Sequence, residues 1–87
     1  MEEERQENRG RPLDEESVAY PRLLKEIRAA GLSIPRVCRK MGVAQMTILH
    51  KMKGRREWKL WECIAIKRIL GSGLPLEELF QKKGEGP

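Results

Sequence analysis

Helical hydrophobic periodicity, repeatedly interrupted by glycine, limits this chain to short helices. After Pro21, a residue suited to a first helical turn, Leu23, Leu24, Ile27 and Ala30 recur at helical spacing until Gly31. Ser33 can then cap a segment in which Ile34, Val37, Cys38 and Met41 follow the i, i+3, i+4, i+7 rule of one buried face. Gly42 supplies the positive φ of a tight turn, and Val43 can plug the corner. A third helix, about residues 45–53, buries Ile48 and Met52 one turn apart and stops at Gly54. "LWECIAIKRIL" reads as a fourth helix running to Gly71, and "PLEELF" as a last turn returning Leu79 and Phe80 to the core. Nothing alternates with the period of a strand, so the expected class is all-α with five short helices.

With 87 residues there is room for one core only. Residues 1–16 carry almost no apolar side chains and include "GRP", so they are expected to be a disordered charged arm, with the domain over 17–83 and a disordered tail over 84–87. No run approaches the roughly 20 apolar residues of a membrane span. "MEEERQENRGRP" is too charged for a signal peptide, which points to the cytoplasm. Cys38 and Cys63 sit far apart in apolar helical patterns and match no metal-ligand spacing. Reduced core thiols are expected, with no metal and no cofactor.

Charge is divided along the chain. Residues 1–17 hold three Arg against seven acids, −4, whereas residues 31–68 hold ten Lys/Arg against Glu57 and Glu62, +8. A basic fold with an acidic arm suits a partner made of phosphates; the alternative is a solvated basic face without a partner. On a helical wheel with Ile48 and Met52 inward, Met46, Leu49, His50 and Lys53 take the outer half, and Gln45 lies at the exposed amino-terminal end. Lys51, Lys53, Arg55 and Arg56 flank this face. An α-helix fits the B-DNA major groove, where its first residues meet base edges while nearby cations meet phosphates.

At these residues the chain resembles the lambda-repressor and Cro-like helix-turn-helix family. The resemblance rests on "GLSIPRVCRKMGVAQMTILHKMKGRR", and "GRREW" and "PLEELF" look like the ends of a phage and mobile-element branch. It covers about residues 21–81 and implies a compact five-helix DNA-binding domain acting as a repressor-type transcriptional regulator. Carried over by position, it makes Gln45, Met46 and His50 base-reading residues and assigns phosphate to Thr47 and the basic loop; the outer face of the wheel adds Leu49 to the readers, and its flanking charges put Lys51, Lys53, Arg55 and Arg56 on phosphate. Two positions depart from the pattern: Ala44 has no side chain with which to cap the helix, and Ile34 stands where many members place a phosphate-touching glutamine.

Each of these residues also has a plainer use. Gln45 and His50 suit a polar surface, and Leu49 suits packing on a neighbour. Trp58 reads as filler beneath the loop rather than a stacking platform, since strand-stacking proteins need several exposed aromatics. An enzyme is not expected, because Cys38 falls on an inward face and His50 on an outward one, and no phosphate loop or Ser/His/Asp set is present. No small-molecule substrate is implied. The competing class is a protein-binding adaptor, such as an antitoxin or phage accessory protein, using the same fold. The fourth helix is apolar on two sides, with Cys63, Ile66 and Leu70 on one and Trp61, Ile64 and Ala65 on the other. The second stripe is expected to form a two-fold homodimer interface; the alternative is cover by the acidic head or the "PLEELF" segment within a monomer.

Overall fold

The computed structural model describes residues 17–84. These residues form five helices and no strand: α1 (Pro21–Ala29), α2 (Ile34–Met41), α3 (Gln45–Met52), α4 (Leu60–Leu70) and α5 (Leu76–Leu79). The readings made for residues 1–16 and 85–87 lie outside the described segment. Helix ends follow local chemistry. Ser33 Oγ accepts the Arg36 N–H at 3.4 Å at the start of α2. At its end Gly42 takes the left-handed conformation, φ 76°, and the Val43 N–H reaches back to the Cys38 carbonyl at 3.1 Å. The same closure recurs after α3, where Gly54 has φ 81° and the Arg55 N–H donates to the His50 carbonyl at 2.9 Å.

The two turns differ in what surrounds them. A Cβ on Gly42 would meet nothing within 4 Å, whereas one on Gly54 would lie 3.0 Å from the Ala19 Cβ. Gly42→Ala is therefore expected to cost about 1–2 kcal/mol from backbone strain alone. Gly54→Ala should cost more, because the Ala19 segment must also shift. Urea unfolding of both variants checks the order; equal losses would mean that the Ala19 contact yields freely.

The core gathers Leu23, Leu24 and Ile27 of α1, Ile34, Val37 and Cys38 of α2, Ile48 and Met52 of α3, Ile66 of α4 and Leu79 of α5. α2 packs against both α3 and α4, while α5 packs against α1 and α4. Short α5 thus closes the core, as its Leu79 suggests. Core structure begins before Pro21: Val18 and Tyr20 are also buried. The Ala19 N–H donates to the Met52 carbonyl at 2.8 Å, and the Lys83 N–H donates to the Ala19 carbonyl at 2.6 Å. The beginning and end of the described chain are thereby fastened to the carboxyl end of α3.

Candidate nucleic-acid interface

α3 is held from behind by α2, and only three residues, Gly42 to Ala44, separate the two helices. Because Ile48 and Met52 are fully buried, the rotation of α3 about its own axis is set by the core. That rotation leaves Gln45 and Met46 exposed, Met46 by 58%, and Thr47 and His50 half-buried. Ala44 is extended, φ −71° and ψ 145°, and gives no side-chain cap; its backbone carbonyl accepts the Thr47 N–H at 3.1 Å. Lys53, Arg55 and Arg56 follow directly and are all exposed.

Two expectations require correction. Lys51 is not available to phosphate: it is 5% exposed, and its Nζ pairs with Oε2 of Glu62, which is 2% exposed. The physical reason is position on the helix. Lys51 lies about 80° from the centre of the Ile48–Met52 stripe, so its fate depends on whether a neighbour covers that flank. The amino-terminal end of α4 covers it. Leu49, on the opposite flank, is half-buried and packs against the core cluster, which leaves little of it for a base edge. Ile34 is buried in the core, as its place in the α2 stripe suggests.

The basic loop between α3 and α4 rests on an aromatic floor. Trp58 meets Tyr20 edge-on, with centroids 6.0 Å apart and planes at 83°, and Phe80 at 5.2 Å and 71°. It is a packing residue, as its place under the loop suggests. Its Nε1 is enclosed and meets no acceptor among the described residues, so its contribution is burial rather than hydrogen bonding. The loop ends where the Lys59 N–H donates to Glu62 Oε1 at 2.8 Å. This is half of a capping box, since a lysine side chain cannot accept in return.

Glu62 is the residue that sequence reasoning missed. Its signal was present: an acid at the third position of a helix, three residues after the cap, is where a carboxylate reaches back to the chain. Leu60 was missed as well. At 68% exposure it joins Trp61, 52%, and Ile64, 39%, on the first two turns of α4, while Ala65 is half-buried. Leu60 and Ile64 are four residues apart, and Trp61 and Ile64 three, so the three are surface neighbours.

Neither thiol is set up as a nucleophile. Burial pushes Cys38 above the ordinary cysteine value, and burial followed by the charge of Glu62 does so at Cys63. Both cysteines are unpaired. Among the described residues no group of three or more His, Cys, Asp or Glu could hold a metal ion, and no helix is long and apolar enough to cross a membrane.

No family model matches the chain, and neither does any curated protein or solved structure.

Proposed function

We propose that this chain is a sequence-specific, double-stranded DNA-binding transcriptional regulator of repressor type, in which α2 and α3 act as a helix-turn-helix. The observation that carries the reading is the continuity of α3 with its loop: a braced helix opens with exposed Gln45 and Met46 and runs into exposed Lys53, Arg55 and Arg56. In this reading α3 enters the major groove. Gln45 pairs with an adenine edge, Met46 meets a thymine methyl, and His50 reaches a guanine or phosphate one turn later. Thr47 and the loop cations hold the backbone, which positions the protein without reading sequence. The protein works in the cytoplasm as a binding protein, with no cofactor and no catalytic step.

Selection from random duplexes with the purified chain tests this directly. Once a preferred site is known, Gln45→Ala and His50→Ala should each weaken binding to it by about 1–3 kcal/mol, with a smaller loss on unrelated duplex. Neither side chain belongs to the core cluster, so unfolding midpoints should stay close to wild type. Equal losses on both duplexes would remove these residues as readers.

The Leu60, Trp61 and Ile64 patch is assigned to a second copy of the chain, because a two-fold dimer presents two recognition helices to half-sites about 34–36 Å apart. Sedimentation of the wild type and of Trp61→Glu should show a dimer and a folded monomer with weakened operator binding. A monomeric wild type would sink the assignment. The same apolar patch is the observation favouring the second reading, a protein-binding adaptor, and absence of affinity for any duplex would select that reading.

A further inference from the structure

The carboxylate of Glu62 stands at both ends of the basic loop at once. Oε2 takes the ammonium of Lys51, from the last turn of α3. Oε1 takes the Lys59 N–H, 2.8 Å away, at the residue preceding α4. The exposed cations Lys53, Arg55 and Arg56 lie on the chain between these two attachments. We propose that Glu62 is a positioning residue for contact with the DNA backbone, clamping the two ends of the 53–59 loop so that Arg55 and Arg56 are held in one arrangement before the partner arrives. The proposal rests on the DNA-binding reading given above.

The alternative use of the pair is plain stability, and a buried ion pair serves that purpose poorly. Two apolar side chains of similar volume would fill the space between α3 and α4 at least as well, without two charges to desolvate. A carboxylate does what they cannot, since it fixes two donors from different chain segments in direction as well as distance. Gly54 and Trp58 already shape the loop locally, through the Arg55 to His50 hydrogen bond and the contacts with Tyr20 and Phe80. Glu62 adds to them a direct tie between Lys51 and Lys59, at the two ends of the loop. A loop ordered in advance loses less freedom on binding, so its cations contribute more to affinity.

Four full-length proteins separate positioning from stability: wild type, Lys51→Met/Glu62→Leu, Arg55→Ala/Arg56→Ala, and the combination of all four substitutions. The apolar pair should fold with an unfolding midpoint near wild type. With the folded fraction matched, trypsin cleavage after Arg55 and Arg56, mapped by mass, should be about tenfold faster in the apolar-pair protein, because the loop opens locally more often. On the selected duplex at fixed salt, the loss caused by Arg55→Ala/Arg56→Ala should be about fivefold smaller in the apolar-pair background than in wild type, the coupling expected of groups that act together. Should the apolar pair fail to fold, Glu62→Gln replaces it; the amide carbonyl still accepts from Lys59 but holds Lys51 weakly, and both effects should appear at reduced size. Unchanged cleavage with the full arginine loss retained overturns the proposal alone. A wild type that binds no duplex overturns the DNA reading and this proposal together.

Discussion

If the chain binds duplex DNA as the proposed dimer, its affinity for the selected duplex should fall by about 10³ between roughly 50 and 200 mM salt. The size follows from the cations that the fold leaves exposed. Burial of Lys51 leaves Lys53, Arg55 and Arg56 in each protomer, about six phosphates for a dimer, and a logarithmic salt slope of about −5. Arg55→Ala/Arg56→Ala removes four of those six contacts. Its slope should shrink to about −2, so that the same change in salt weakens binding only about tenfold. Sequence preference should survive in that variant, since phosphate contacts carry no base information. Fluorescence anisotropy with a labelled duplex across a salt series measures both slopes. A wild-type slope near zero would remove the loop from the interface, and a slope unaltered by the double substitution would place the contacts elsewhere.

The second large effect concerns stability. Lys51→Met should destabilise the fold by about 3–5 kcal/mol, because the buried Glu62 loses its partner and keeps only the Lys59 N–H beside it. Glu62→Leu should fall near the lower end of that range. The Lys51 stem can swing its ammonium toward water, although the Lys59 N–H also loses its acceptor. Against the 5–15 kcal/mol typical of a whole domain, either loss is a large fraction of the total. Lys51→Met/Glu62→Leu should recover most of it, since no buried charge remains. Urea midpoints for the four proteins of this cycle give the coupling, and additive losses would show that the two residues do not act as a unit.

Burial of the thiols belongs with the same packing. Cys38 is a core residue of α2, and its raised pKa follows from desolvation. Its inward position was legible from the spacing Ile34, Val37, Cys38, Met41, because three residues of known character define the side on which the fourth must lie. Cys63 is only half-buried, at the margin of the Ile66 stripe.

The sequence by itself determined where the helices begin and end. Ser33 at the start of α2, and the left-handed Gly42, Gly54 and Gly71 after α2, α3 and α4, act through backbone geometry within one turn, so no distant residue is needed to read them. It also determined the middle of each buried stripe, hence Leu23 and Ile27, Val37 and Cys38, Ile48 and Met52, and with them the outward placement of Met46. Tertiary structure decided the flanks. Leu49 and Lys51 lie at about equal angles on either side of the α3 stripe, and nothing local says that both are covered. Leu60 has the side chain of a core residue yet remains mostly exposed, while Glu62, two residues on, is buried because Lys51 meets it there. Val18, in the short stretch "SVAYP", has no helical or strand period to betray it and is buried because Ala19 is tied to Met52 and Lys83. A stripe's centre faces the core wherever neighbouring helices lie, but its edges are covered or open according to where those helices pack, and that arrangement is set by contacts between residues far apart in the chain.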